Sequence, residues 1–286
     1  SPLAESWELS CHEAGPSVVA SGEWAGRTLA QVLAAHPQFV GTKAEKAGEF
    51  SLLIKLIDAA GPLSVQVHPD DDYAERVEHA LGKTEMWYVL DAGEGAGIYY
   101  GFKRETTLKE MKAAIESNTL TELLNWVPVK KGECFFIPAG TVHAIGAGIL
   151  VAEIQQNSDT TFRVYDYNRL GADGKPRQLH LERAAEVMNY APMHRAADTL
   201  PPCPPDGMQE VLTCEYFRVR RAEVKTRISL ATDSGSFTHL MCVRGEGNIL
   251  CGGKVYPFRQ GDSYFLPAAL GEYAVQGDCS LVLSGV

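Results

Sequence analysis

The sequence predicts a mainly β chain, built as sandwiches or barrels, with helices inserted into its first part. Three observations carry this. Short apolar or alternating runs recur, among them FSLLIKLI (50–57), MWYVL (86–90), ECFFIP (133–138), ILVAEIQQ (149–156) and TFRVYDY (161–167). Gly, Pro, Asp and Asn separate them, which is the punctuation of sandwich and barrel strands. After PPCPPDG (201–207), the clearest linker signal, the pattern is almost purely β-like to Val286.

Taken in order, RTLAQVLAAHP (27–37) is an amphipathic helix stopped by Pro37. SVQVHP (64–69) alternates as a strand, with Val65 and Val67 on one face and Ser64, Gln66 and His68 on the other. An amide and an imidazole on the face that should be wet ask for an explanation. DDYAERVEHALG (71–82) predicts a helix capped by Asp and ended at Gly82. TLKEMKAAIESN (107–118) opens on a Thr107/Glu110 capping box, and LHLERAAEVMNY (179–190) reads as a further helix. The expected division is a first domain over 1–200, with helical insertions, and a second over 201–286.

Bulk properties exclude several classes. A net charge of −10 argues against nucleic acid as a partner, because phosphate backbones need a basic face. It leaves room for a small anionic substrate, which responds to the local field. No apolar run reaches the roughly 18–20 residues of a membrane span. Glu5, Glu8, His12, Glu13 and Glu23 rule out a signal peptide in the first thirty residues. Seven scattered cysteines, never CxxC, fit reduced core thiols in a cytoplasmic protein better than disulfides. The oligomeric state is not legible.

GECFFIPAGTVHAIG (132–146) has the spacing G-x5-P-x-G-x2-H. It resembles the second signature of the cupin superfamily, whose members are double-sheet jelly rolls with the His turned inward to a metal. The resemblance implies that the Gln66–His68 face lines a barrel interior while the Val face packs elsewhere. A fourth ligand is expected from GKTEMWYVL (82–90), where Glu85 starts a strand expected beside the one holding His68. Gln66, His68, Glu85 and His143 form a donor set of borderline softness that suits one Zn²⁺ or a similar divalent ion. One carboxylate against a dication leaves about +1, enough to hold a developing enolate. Lys83, two residues before Glu85, should share its direction.

PLSVQVHPDD, GKTEMWYVL, PAGTVHAIG and EIQQNSDTTFRVYDYNR together resemble the type I mannose-6-phosphate isomerase (phosphomannose isomerase) family in its short bacterial form. The similarity runs over most of the chain, ESWELS included. It implies two cupin-type jelly-roll barrels, zinc on Gln66, His68, Glu85 and His143, and a functional Lys83. It also implies roles for Arg163 in FRVYD and for Glu153, ten residues earlier. Ser64 shares the parity of Gln66 and is a candidate phosphate contact. The sequence opens at SPLAESWELS, without the strand the family usually carries before ESWE, which leaves open an absent N-terminal segment. VGTKAEKAGEFSLLIK lies where family members vary, and no function is carried onto it. In the second barrel the G-x5-P rhythm survives from Gly261 to Pro267. Glu272 and Tyr273 stand there in place of a metal His, so that barrel is expected to be metal-free.

The implied activity is interconversion of mannose 6-phosphate and fructose 6-phosphate through an enediol, with Lys83, Glu153 and Arg163 as catalytic candidates and Ser64, Lys83 and Arg163 meeting the sugar phosphate. The general base stays open among Glu153, Lys83 and hydroxide on the metal. Two rivals compete. A cupin dioxygenase would place its Glu close behind an H-x-H pair, whereas seventeen positions separate His68 from Glu85. A non-catalytic sugar-phosphate-binding bicupin would commonly lose ligands that this chain keeps. His12, His36, His79, His180, His194 and His239 fall outside any ligand pattern, with His79 and His180 read as helix-surface or capping residues.

Overall fold

The computed structural model describes residues 4–45, 50–171, 174–193 and 198–286; His194 lies outside them. The chain forms two compact units, one of Ser1–Ser6 with Leu56–Thr199 and one of Trp7–Lys55 with Leu200–Val286. The segment 7–55, which the sequence reading places in the first domain, therefore clusters with the C-terminal strands.

Eleven strands make the first two sheets: β1 (Glu5–Leu9), β2 (Leu52–Ala59), β3 (Val65–Val67), β4 (Glu85–Ala92), β5 (Gly97–Phe102), β6 (Leu124–Pro128), β7 (Glu133–Ile137), β8 (His143–Ile145), β9 (Ile149–Gln156), β10 (Phe162–Tyr165) and β11 (Asp198–Thr199). One sheet runs β1-β2-β9-β4-β7-β11 and the other β10-β3-β8-β5-β6. Alternation decides what each face meets. Trp87, Val89, Phe135, Ile137, Ile149 and Val151 of the first sheet pack with Ile98, Tyr100 and Ile145 of the second in one core. Val65, Val67, Ala144, Phe162 and Val164 point the other way. They pack against Met111, Ala114, Leu120, Ala184 and Met188 from the inserted helices. The valine face of β3 is thus roofed by helices, and its Gln66 face is turned to the interior.

Helix Leu108–Glu116 starts on the expected capping box, Thr107 with Glu110. Helix Leu181–Val187 is shorter than its sequence pattern. The segment after Asp70 departs further. Asp70 caps it, but only Asp71–Tyr73 is α-helical, and Ala74–Glu78 is a π-turn closed by His79 in the left-handed region. The chain then needs residues 80–82 to return to β4, so the helix cannot run to Gly82.

The second unit carries a single branched sheet of β12 (Gly207–Thr213), β13 (Arg218–Val224), β14 (Arg227–Thr232), β15 (Thr238–Cys251), β16 (Lys254–Arg259), β17 (Ser263–Leu266) and β18 (Gly271–Gly285). Its path is β12-β13-β18-β15-β16, with β14 on β18 and β17 on β15. Two strands of 14 and 15 residues, β15 and β18, are long enough to serve both halves of it. No helix is long and apolar enough to cross a membrane among the described residues.

Candidate metal centre and active site

Register builds the site. On the helix-roofed sheet Arg163 of β10 pairs with Gln66, Gln66 pairs with His143, and His143 pairs with Tyr100. Cross-strand partners share a face, so these four side chains form a row across the interior. On the opposite sheet Glu85 pairs with Gln155, and Trp87 with Glu153. Glu85 is therefore not on a strand beside β3, as the sequence suggested. It reaches His68 and His143 from the facing sheet.

Glu85 Oε1 lies 3.3 Å from His143 Nε2, and Glu85 Oε2 lies 3.5 Å from His68 Nε2. The three residues are fully buried, and one donor atom from each falls within 4.8 Å of the others. Both imidazoles have a fixed tautomer. His68 Nδ1–H donates to the Thr160 carbonyl, and His143 Nδ1–H to the Thr141 carbonyl, each at 2.9 Å. That leaves both Nε2 lone pairs turned towards Glu85, the arrangement in which backbone acceptors orient metal-binding histidines. Burial pushes His143 down to about 4, against the raising effect of its Thr141 bond, so the ring is neutral at ordinary pH. Gln66 Nε2 sits 3.4 Å from His143 Nε2, and a half-turn of the amide brings its oxygen to the same centre. Two neutral imidazoles, a carboxylate and an amide converging in a dry interior fit a divalent cation.

Lys83 occupies the same ground. Its Nζ donates to Glu85 Oε2 at 2.9 Å and to His68 Nε2 at 3.1 Å. Burial lowers its basicity, but Glu85 and Glu153 outweigh that, and it stays charged. Lys83 is held from behind. Its N–H donates to the Pro69 carbonyl at 2.9 Å. Asp71 Oδ1 accepts from Gly82 N–H and from Gln156 Nε2, each at 2.8 Å, while Gln156 Oε1 accepts from Thr84 N–H at 2.8 Å. A methyl at Gly82 would come within 2.6 Å of the Asp70–Asp71 backbone. Gly82→Ala should cost about 1–3 kcal/mol and misplace Lys83. We expect a lowered melting temperature and slower turnover at unchanged metal content; a variant with wild-type kinetics would dissociate this loop from the site.

Glu153 is buried and accepts from Trp87 Nε1 at 2.8 Å. Its negative charge reaches Lys83 and helps to keep that ammonium charged. Trp87 also sets its ring edge-on to His143, with centroids 5.3 Å apart. Arg163 is half-buried, and its Nη1 donates to the Gln178 carbonyl at 2.9 Å. Burial, then Arg177 and Arg169, lower its basicity. Arg177 and Arg169 both grip Asp166, so three guanidinium groups and one carboxylate gather after β10. Sequence reading missed Arg169 and Arg177; the run NRLGADGKPR held the signal as three basic residues against one acid. Ser64 is buried next to β3. His180 is the N-cap residue of helix Leu181–Val187, but its side chain makes no capping bond; its Nδ1 instead accepts the Arg163 N–H at 3.1 Å and braces β10.

Compared with characterised proteins, the chain is 41% identical to mannose-6-phosphate isomerase ManA of Bacillus subtilis (strain 168), over 98% of its own length and 88% of that relative. The chain belongs to the type I mannose-6-phosphate isomerase family. The family's type I catalytic-domain model matches residues 1–95, and the mannose-6-phosphate isomerase cupin-domain model matches residues 208–286. The chain is accordingly an enzyme of this isomerase family. The crystal structure of the mannose 6-phosphate isomerase from Bacillus subtilis superposes with a TM-score of 0.89 at 35% identity, covering 99% of this chain and 90% of that one. A zinc-bound mannose 6-phosphate isomerase shares the fold, with a TM-score of 0.76 at 18% identity, over 99% of this chain and 91% of that one.

Proposed function

We propose that the chain interconverts mannose 6-phosphate and fructose 6-phosphate by proton transfer through an enediol, with one zinc ion in the first unit and none in the second. The observation that carries this is the convergence of His68, Glu85 and His143 within 4.8 Å in a buried interior, in a chain of this family. Gln66, His68, Glu85 and His143 are the residues that would hold the ion. When bound, the ion supplies Lewis-acid stabilisation of negative charge on the sugar oxygens. The domain reading is a catalytic part over 1–200 and a second cupin barrel over 201–286. Seven free cysteines support a reducing, cytoplasmic setting.

The remaining steps belong to the chain. The open-chain aldose must lose the proton at C2 and regain one at C1. Glu153, buried and fixed by Trp87, is the group we assign to carry that proton. Lys83, kept charged by its two carboxylates, orients the oxygen that gains charge and can donate to it. Arg163, with Ser64, meets the phosphate; a guanidinium fork matches its oxygens. Positioned proton transfer contributes roughly 10²–10⁴-fold, so Glu153→Gln should lose that much turnover and keep its metal.

A coupled assay for fructose 6-phosphate, with and without chelator, tests the activity. The same reaction in D₂O tests the route. Deuterium at C1 of fructose 6-phosphate or C2 of mannose 6-phosphate is the expected result. Unlabelled product at high conversion would favour a direct hydrogen shift between the carbons and remove the proton-carrying role from Glu153.

A further inference from the structure

The second unit contains a cavity of about 670 Å³ at the end of its sheet, lined by Arg220, Arg227, Leu230, Leu250, Glu272 and Tyr273 among others. Nothing in the isomerase chemistry uses it. Its inner side meets the apolar core of that sheet. Ala222 and Val224 alternate with Arg220 along β13, and both lie in the core cluster with Leu230, Val275 and Tyr273. Arg220 therefore extends inward from a core-facing position. It is half-buried there, with apolar neighbours on the same face of its strand.

The Arg220 side chain makes no hydrogen bond or ion pair with any described residue. Glu210, its cross-strand neighbour, is already taken by Arg218 at 2.6 Å. Tyr273 is buried, and its hydroxyl likewise has no hydrogen-bond partner among the described residues. The two groups feel one another. Burial pushes the Tyr273 hydroxyl up to about 12, and the charge opposing that rise is Arg220. Burial, then Arg218, lowers the basicity of Arg220 itself. Arg220 and Arg227 line the cavity with the single carboxylate of Glu272, and Arg218, Glu210 and Asp233 also act on Arg220 from nearby.

We propose that this cavity is a second ligand site, taking a small oxyanion such as a phosphorylated or carboxylated metabolite. Arg220 supplies a planar pair of donors, the Tyr273 hydroxyl a third, and Arg227 closes the field from the rim. Tyr273 stands where a metal-binding cupin would carry its histidine. A fixed guanidinium would then supply the positive charge that the first unit is suited to take from a cation. The apolar wall of Leu230 and Leu250 leaves room for a carbon skeleton behind the oxyanion.

The test uses the full-length, metal-loaded protein labelled with 3-fluorotyrosine. Its 11 tyrosines give fluorine resonances, and Tyr273→Phe identifies the one that matters. Inorganic phosphate and citrate are titrated separately, with chloride at matched ionic strength as control. We expect the Tyr273 resonance to move saturably with phosphate or citrate and not with chloride. Whichever anion binds more tightly tells whether the site prefers a phosphate or a carboxylate. Arg220→Met should abolish the shift while isomerase turnover is unchanged. Arg220→Lys, which keeps the charge and loses the fork, should weaken it at least tenfold and guards against misfolding of the methionine variant. A Tyr273 signal unmoved by both anions, moved equally by chloride, or moved alike in the wild type and both Arg220 variants would overturn the proposal.

Discussion

Replacing His143 with glutamine or alanine is expected to empty the metal centre and lower isomerase turnover by more than about 10³-fold. Lewis-acid stabilisation is worth several kcal/mol, and each 1.36 kcal/mol is tenfold in rate. The side chain has no solvent-facing alternative, because it is fully buried and its Nδ1–H is committed to Thr141. Alanine would also leave a void beside Trp87, so glutamine, closer in volume, separates loss of metal from loss of packing. Elemental analysis gives metal content, and near-ultraviolet circular dichroism reports whether the interior survives. A His143→Gln enzyme with stoichiometric metal and near-normal turnover would refute the assignment of the centre.

Lys83→Met should destabilise the metal-free protein much more than the metal-loaded one. Without metal, the Lys83 ammonium is the cation that stands against Glu85, 2.9 Å from Oε2 in a dry interior. Removing one partner of a buried ion pair costs about 3–5 kcal/mol. At about 2–4 °C per kcal/mol for a chain of this size, that is a large fall in melting temperature. With metal bound, Glu85 has a second compensating charge and the fall should be small. Turnover of the metal-loaded enzyme should drop, since the ammonium that orients the charged oxygen is lost. Paired thermal melts with chelator and with zinc decide it. Equal shifts in the two would mean that Lys83 is not the counter-charge of Glu85. Metal release from the variant would mean that the lysine supports the ligands themselves.

Much of this centre was legible before folding was considered. Gly132, Pro138, Gly140 and His143 sit at fixed offsets because a turn, a strand and a second turn must deliver one imidazole inward. The alternation of SVQVHP separates Gln66 and His68 from Val65 and Val67 whatever the surrounding fold. Thr107 and Glu110 announce their helix because a capping box is satisfied within four residues. The π-turn after Asp70 was not legible. Its cause is the distance the chain must cover to return to β4, and a local pattern does not contain that distance.

The sequence by itself determined the chemistry of the donors and the face each one shares. A side-chain period of two is a property of the strand alone. Only the tertiary structure decided who meets whom. It placed Glu85 on the sheet facing His68, set Lys83 on the same two ligand atoms, bound Glu153 to Trp87, and gathered Arg169 and Arg177 beside Arg163. It also left Arg220 and Tyr273 unpartnered around one cavity. The reason is that sheet order and register are fixed by pairings between distant segments, Gln66 with His143 and Trp87 with Glu153. Those pairings depend on the burial of whole faces and not on any residue's neighbours in sequence.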